Sequence, residues 1–171
     1  MEQPIVNRVA ASGLITLNLE EYYPTAEIKT FDLKDFLFME MILKEKDFRA
    51  ALKEYDWAQY SGKILNVFCS ADAIIPVWAY MLVTTYAQPF ALDIFQGTGE
   101  EYLKLHYRRV LDEIDFAEYE DKRIVIKGCS NKPVPATAYL TLATKLRPFA
   151  KSIMYGEPCS TVPIFKKPRS K

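Results

Sequence analysis

The chain has 171 residues, enough for one domain with a sizeable core, and its 50% apolar and 26% charged residues are typical of globular proteins. Twenty-two Lys and Arg residues balance twenty-two Asp and Glu residues, so composition gives no overall attraction to nucleic acid or to an acidic membrane. The longest apolar run, Ala73–Val83, is shorter than the roughly 20 residues of a membrane-spanning helix. We also find no apolar signal segment at the N-terminus, and we expect a cytoplasmic protein with reduced cysteines.

Residues 1–44 form an N-terminal extension with three predicted elements. The apolar and β-branched run LITLNL (Leu14–Leu19) predicts a strand, and EIKTFD (Glu27–Asp32) predicts a second one. Apolar residues at helical spacing in LKDFLFMEMIL (Leu33–Leu43) indicate an amphipathic helix that leads into the next part of the chain.

Residues 45–98 and 99–157 are interpreted as two copies of one unit. The tripeptide DWA that begins at Asp56 recurs as DFA at Asp115, and PFA occurs in both copies at the same spacing. We call the spacing from Asp56 to Asp115 the repeat offset. Internal similarity held at one spacing over such a length indicates duplication. Cys129 follows Cys69 by one position more than the repeat offset, so we expect a one-residue insertion just before the second cysteine.

The same four elements are predicted in each copy. A charged, amphipathic helix comes first, over Glu45–Tyr55 and Glu100–Ile114. The apolar runs KILNVFCS and RIVIKGCS then indicate buried strands, and each is followed by a helix and a short second strand, at Leu92–Phe95 and Ser152–Tyr155. A strand–helix–strand order implies parallel pairing with a right-handed crossover.

These elements predict a single α/β domain over residues 1–171. Its sheet is expected to be mostly parallel, to be built from the two duplicated βαβ-type units, and to be covered by helices. Residues 158–171 are taken as a C-terminal tail that ends in the basic run KKPRSK.

Each of the three cysteines is followed directly by a serine, as Cys69-Ser70, Cys129-Ser130 and Cys159-Ser160. The first two pairs come where a predicted strand ends, so Ser70 and Ser130 are candidate N-caps of the following helices. The carboxyl ends of parallel strands share one edge of a sheet, which is where open α/β folds bind ligands. We therefore expect the three thiols to converge.

Three such thiols predict a metal site. A helix N-terminus lowers the pKa of a nearby thiol, and thiolates ligate zinc, iron and iron–sulfur clusters. Asp72 and Glu157 are the nearest candidates for a fourth ligand, while Lys127 and Lys132 flank Cys129 and would stabilise its thiolate. The leading hypothesis is a metal- or iron–sulfur-binding accessory protein.

Other functions remain open at this stage. Cys129 alone would suit a nucleophile or a persulfide carrier in a sulfur-relay enzyme. The cysteines would instead be structural if duplication had copied an inert residue, which suits a non-catalytic module that self-associates through aromatic residues such as Trp57 and Tyr22. The chain lacks CxxC and phosphate-binding loops, and His106 is its only histidine.

The motifs IKGCSNKPVPATAY and KSIMYGEPCSTVPIFKK, with VNRVAASGLITLNLEEYYP near the start, resemble a bacterial family of domain-of-unknown-function proteins. The resemblance covers essentially the whole chain. It implies a link to iron–sulfur cluster assembly, with assembly proteins as partners and a scaffold, sulfur-relay or target role. Carried over by residue, it points to Cys129 with Ser130, Cys159 with Glu157 and Ser160, and Cys69 with Asp72.

Overall fold

The computed structural model describes residues 13–128 and 130–168. Within these residues, seven strands and four α-helices follow the predicted α/β order. They are β1 (Leu14–Asn18), β2 (Ile28–Asp32), α1 (Glu45–Glu54), β3 (Ile64–Phe68), α2 (Val77–Ala87), β4 (Asp93–Gln96), α3 (Gly99–Asp112), β5 (Arg123–Lys127), α4 (Ala136–Leu146), β6 (Ser152–Glu157) and β7 (Ser160–Lys166). Among these helices, none has the length and apolar character needed to cross a membrane.

The strands form two sheets, whereas the sequence analysis expects one. Unit 2, residues Pro24–Tyr102, contains the all-parallel sheet β2-β3-β4. Unit 1 comprises Met1–Tyr23 and Leu103–Lys171, two stretches that flank unit 2 in the sequence. Its sheet has the order β1-β5-β6-β7, with only β7 antiparallel to its neighbour. The predicted α/β class and the parallel pairing are confirmed.

The duplication includes the two N-terminal strands. The segments TLNLEEY (16–22) and TFDLKDF (30–36) are similar, and each is the end of a strand followed by a short 3-10 helix. The first strand pairs with β5, the central strand of the second copy, and the second strand pairs with β3, the central strand of the first. Each copy thus carries its own preceding strand, which is why two sheets form.

Both units bury the same positions. Eight pairs of core residues are separated by the repeat offset, namely Phe48 and Tyr107, Leu52 and Leu111, Trp57 and Phe116, Leu65 and Ile124, Val67 and Ile126, Ala79 and Ala138, Val83 and Leu142, and Ala87 and Leu146. Burial of these side chains is the dominant favourable contribution to folding. The two units therefore use one packing scheme twice.

Two predicted elements are wrong. Leu33–Leu43 does not form a helix, because Asp32 caps a 3-10 helix that ends at Phe36, and a tight turn with positive φ at Met39 and Glu40 follows. The segment assigned to a C-terminal tail contains β7, which pairs with β6 through a two-residue turn at Pro158 and Cys159.

Asn66 departs from the shared packing scheme. It lies in the middle of β3, its side chain is 0% exposed, and neither its amide nitrogen nor its amide oxygen has a hydrogen-bond partner. The equivalent residue of β5, separated by the repeat offset, is the buried Val125. A buried amide without partners loses its hydration and gains no protein hydrogen bond in return.

We predict that Asn66→Val stabilises the protein. Removing two unsatisfied polar atoms from the interior should raise the free energy of unfolding by about 1–3 kcal/mol. Urea denaturation followed by circular dichroism measures the change. The matched variant Val125→Asn should lower the free energy of unfolding, and an Asn66→Val protein less stable than the parent would contradict the account.

Candidate functional site

The loops that follow β3 and β5 carry the Cys-Ser pairs and have equal lengths. Both the strand ends and the helix starts are separated by the repeat offset, so no residue is inserted between them. The expected one-residue insertion is therefore wrong, and Cys69 is equivalent to Gly128 and not to Cys129. A Cβ atom at Gly128, where φ is +156°, would lie 2.8 Å from the hydroxyl oxygen of Tyr139. The two Cys-Ser pairs are therefore one position out of register in the sequence.

The serines do not cap helices. Helix α2 begins at Val77 and α4 at Ala136, each with a proline at the N-cap position. Pro suits a helix start because its φ is fixed near the helical value and it has no N–H group to leave unpaired. Cys69 thus lies eight positions before α2 begins. The expectation that a helix N-terminus activates this thiol is wrong.

Carboxylates hold both loops instead. Asp32 Oδ1 accepts a hydrogen bond of 3.0 Å from the backbone N–H of Ser70. Glu20 Oε1 accepts from the backbone N–H groups of Ser130 and Asn131, and Glu20 Oε2 accepts from the Asn131 side chain at 3.4 Å. These donors are the groups that a loop would offer to a bound anion. The protein's own carboxylate occupies that place in each unit.

The hydrogen bonds change the acidity of both carboxyl groups. The backbone N–H of Asn131, followed by that of Ser130, holds the pKa of Glu20 below its ordinary value of 4.5. Burial raises the pKa of Asp32, but the hydrogen bonds from Ser70 and Lys34 outweigh it, and the pKa is lowered overall. Both groups therefore act as charged acceptors near neutral pH.

The predicted metal ligands are distributed over both units. Cys69 and Asp72 belong to unit 2, where the thiol is half-buried, with its Sγ atom 3.6 Å from the carbonyl oxygen of Ala71, and Asp72 is exposed. Cys159 and Glu157 belong to unit 1, with the thiol exposed in the turn between β6 and β7. Cys129 lies outside the described residues.

The metal site itself stays a prediction. Glu157 is paired with Lys127, whose Nζ atom lies 3.4 Å from Glu157 Oε2, and the ammonium group of Lys132 lies 5.3 Å from the ring centre of Tyr23. Ser160 begins β7. In residues 13–128 and 130–168, no group of three or more His, Cys, Asp and Glu side chains is arranged to hold a metal ion.

Unit 1 contains an apolar groove that the sequence analysis missed. It is a cavity of about 500 Å³ between α4 and the face of β5, β6 and β7, lined by Ile126, Tyr139, Leu140, Ala143, Ile153, Tyr155 and Ile164. Leu140 is 67% exposed and Ile164 56% exposed, so the groove opens to solvent. Ile126 and Tyr155 are paired near the carboxyl ends of β5 and β6. The groove therefore reaches the sheet edge where open α/β folds bind ligands.

Of the two aromatic residues assigned to self-association, Trp57 is a core residue and Tyr22 packs against a core. Trp57 is buried, its indole Nε1–H donates a 2.8 Å hydrogen bond to the carbonyl oxygen of Leu52, and its ring stacks on Phe31. Tyr22 is half-buried against the core of unit 1, and its carbonyl oxygen accepts from His106 Nε2 at 2.8 Å. An interaction surface has to be sought elsewhere.

We predict that Glu20→Ala loosens the loop after β5. The amide hydrogens of Ser130 and Asn131 should exchange faster, because their acceptor is lost. Asp32→Ala, which removes the carboxylate that contacts the loop after β3, should affect Ser70 instead. A carboxylate with a lowered pKa stabilises the folded form above its unfolded-state pKa and loses that contribution as pH falls through the folded-state value. Loop protection in the parent should therefore decline at pH below 4.5, relative to the intrinsic exchange rate. Unchanged protection in Glu20→Ala would refute this role.

Comparison with known proteins identifies a family. No curated protein and no solved structure is significantly similar to this chain. A family model described as "Protein of unknown function (DUF2480)" matches residues 3–167. Since the match spans nearly the whole sequence, the chain belongs to the DUF2480 family.

Proposed function

We propose that the protein is a non-catalytic binding module that holds an apolar group of a ligand or partner in the groove of unit 1. The observation that carries this proposal is the cavity of about 500 Å³ with its almost entirely apolar lining. Ligand sites are typically concave, largely preformed and lined by apolar and aromatic side chains, at volumes of roughly 300–1,000 Å³. The groove has these properties.

The lining favours binding over catalysis. Its seven residues include no carboxylate, thiol, imidazole or amine, and the hydroxyl groups of Tyr139 and Tyr155 are the only polar side-chain groups among them. The two rings form an edge-to-face pair with centroids 5.8 Å apart, at the end of the groove near Gly128. Tyrosine can act in acid–base catalysis, but here no carboxylate, imidazole or thiol in the lining accompanies the two hydroxyl groups. An aliphatic chain or a branched apolar side chain suits this lining best.

We predict that Ala143→Trp blocks the groove. Ala143 is the smallest lining residue, and an indole there would fill the space between α4 and the sheet. Binding of 1-octanol, a neutral apolar probe, is measured by NMR through the methyl signals of Ile126, Ile153 and Ile164. We expect saturable shifts in the parent and none in Ala143→Trp.

The duplication supplies two controls for this experiment. Thr84 is the residue of α2 equivalent to Ala143, and Thr84→Trp should leave the octanol shifts intact. The methyl group of Ile94 in β4, equivalent to Ile153, reports on non-specific effects of the probe. Equal shifts at Ile94 and Ile153, or full binding by Ala143→Trp, would rule out the groove.

A metal- or iron–sulfur-binding role is the second proposal. What supports it is that Cys69 and Cys159 are both free thiols, one half-buried and one exposed, at loops beside the ends of parallel strands. Thiolates bind zinc, iron and iron–sulfur clusters, and a cluster-binding protein would have iron–sulfur assembly proteins as partners. A reactive Cys129, between β5 and α4 in the sequence, would instead serve a sulfur relay.

We predict that protein purified without air contains metal if this second proposal holds. Zinc, iron and acid-labile sulfide are measured in the parent and in Cys69→Ser, Cys129→Ser and Cys159→Ser. Loss of a ligand should lower the metal content of each variant, since three-thiolate coordination requires every thiol. Equal metal content in the parent and in all three variants, or none in any of them, would eliminate the site.

A further inference from the structure

A cavity of unit 2 combines aromatic and acidic side chains. It has a volume of about 470 Å³ and lies between the edge strand β2, the 3-10 helix that follows β2, and α1. Every residue of its lining belongs to unit 2. Ligand sites are typically concave and have volumes of roughly 300–1,000 Å³, so this cavity is large enough for a small ligand or for one long side chain of a partner.

Three aromatic rings form one wall of the cavity. Phe31 of β2 stacks on Phe36 of the following 3-10 helix, with ring centres 4.9 Å apart. Tyr55, which directly follows α1, meets both rings edge to face, at 5.2 and 6.1 Å between ring centres. Phe31 is 2% exposed, so packing in the core of unit 2 fixes the wall. The faces of aromatic rings attract cations as well as apolar groups.

Three carboxylates line the same cavity, and its lining contains no Lys, Arg or His. The Oδ1 atom of Asp32 accepts hydrogen bonds of 3.0 Å from the N–H groups of Ser70 and Lys34, which hold this side chain in place. Asp35 and Glu54 are exposed, and within the part of the chain that the structure describes neither of them forms an ion pair. A concave site lined by one sign of charge concentrates ligands of the opposite sign. The cavity therefore favours a cation.

The lining suits an organic cation better than a metal ion. Hard metal ions need several oxygen atoms that converge on one point. No three His, Cys, Asp or Glu side chains in residues 13–128 and 130–168 are arranged to hold a metal, so the three carboxylates do not converge in this way. An alkyl ammonium or guanidinium ion instead has an apolar stem for the rings and a charged end for the carboxylates.

The equivalent residues of unit 1 have a different chemistry. Four pairs differ in size or polarity, namely Ala51 and Val110, Tyr55 and Ile114, Phe31 and Leu17, and Asp32 and Asn18. Val110 and Ile114 pack against the core of unit 1. Ala51 is exposed and leaves the space beside it in unit 2 open. The packing scheme that the units share therefore does not require the small, aromatic and charged side chains of this cavity.

We propose that the cavity of unit 2 binds an organic cation with an alkyl stem and an ammonium or guanidinium end. Its stem packs on the rings of Phe36 and Tyr55, and its charged end is held by the three carboxylates. The cation is a Lys or Arg side chain of a protein partner or a free amine, since both have this chemistry. The site is independent of the apolar groove, because the two cavities share no lining residue and belong to different units.

Two probes of similar shape test the role of charge. The full chain is titrated with n-butylammonium chloride and with 1-butanol, which have the same alkyl stem, and the ring signals of Phe36 and Tyr55 are followed by NMR. We expect saturable shifts with the amine, and none at equal concentrations of 1-butanol or potassium chloride. Equal shifts with 1-butanol would reduce the site to an apolar cavity, and equal shifts with potassium chloride would reduce the effect to ionic screening. Either result would overturn the proposal.

Neutral variants of the carboxylates provide a comparison between the copies. Asp35→Asn and Glu54→Gln should each weaken amine binding by roughly two- to fivefold, which is the range expected for an exposed ion pair. Glu113→Gln makes the same change in net charge at the unit 1 position equivalent to Glu54, and should leave binding intact. All three positions are exposed, so circular dichroism and thermal unfolding should match the parent. Equal weakening by Glu54→Gln and Glu113→Gln would show long-range attraction only and would contradict the site.

A steric variant separates the cavity from its charges. Ala51→Leu fills space in the lining without changing the net charge, and Leu is a good helix former, so α1 should keep its structure. Amine binding should be lost in this variant while the circular dichroism spectrum stays the same. Full amine binding by Ala51→Leu would exclude the cavity as the binding site.

Two further amines identify the source of the cation. Spermidine represents a free polyamine, and the peptide acetyl-Gly-Lys-Gly-amide represents a side chain of a protein partner. Tighter binding of the peptide than of both n-butylammonium and spermidine would assign the cavity to a protein partner, and tighter binding of spermidine would assign it to a free amine. Failure of all three amines to give saturable shifts would overturn the proposal, whatever the result of the octanol experiment on the groove.

Discussion

The fold depends on the parallel pairing between the central strand of each copy and a strand from the N-terminal region. β3 pairs with β2, and β5 pairs with β1, although β1 and β2 follow one another in the chain. Each N-terminal strand ends in an Asn or Asp residue, whose side chain caps the 3-10 helix that follows. Since parallel strands need a long connection, these two pairings also decide which helices cover each sheet. The two units consequently bury side chains at equivalent positions.

The same N-terminal segments control the loops at the carboxyl ends of the central strands. Asp32 ends β2 and reaches the loop after β3, and Glu20 lies two residues beyond β1 and reaches the loop after β5. A loop whose N–H groups already contact an internal carboxylate is a poor site for phosphate or another anion. The loops at these sheet edges therefore follow the α/β pattern without its common anion-binding chemistry. The apolar groove is a candidate ligand cavity of unit 1.

Much of this fold could be predicted from sequence, and the failures have identifiable causes. The repeat located the central strand of each copy, because apolar and β-branched runs such as RIVIK are typical of buried strands. The split into two sheets was missed because the similarity between TLNLEEY and TFDLKDF is short and lies outside the longer repeat. The Cys-Ser motif led to the wrong alignment of the two loops. The two cysteines are separated by one position more than the repeat offset, whereas the strands before them are separated by the repeat offset itself. The groove was missed because it depends on β7, which lies in the segment that the sequence analysis assigns to a C-terminal tail.

The pattern of divergence between the copies separates structure from function. Core pairs such as Leu52 and Leu111 remain apolar, so selection on packing acts on both units alike. The equivalent segments 64–102 and 123–161 differ in net charge, at −4 and +5, although a solvated surface imposes no such requirement. Two inert copies would be expected to drift toward a similar mixture of charges, because either sign keeps a surface soluble. Acidic and basic residues are not divided between the copies as wholes, since residues 45–98 contain four Lys and Arg residues and residues 99–157 contain nine Asp and Glu residues. The difference in net charge is confined to the equivalent segments 64–102 and 123–161, so it marks the part of each unit where the copies diverge.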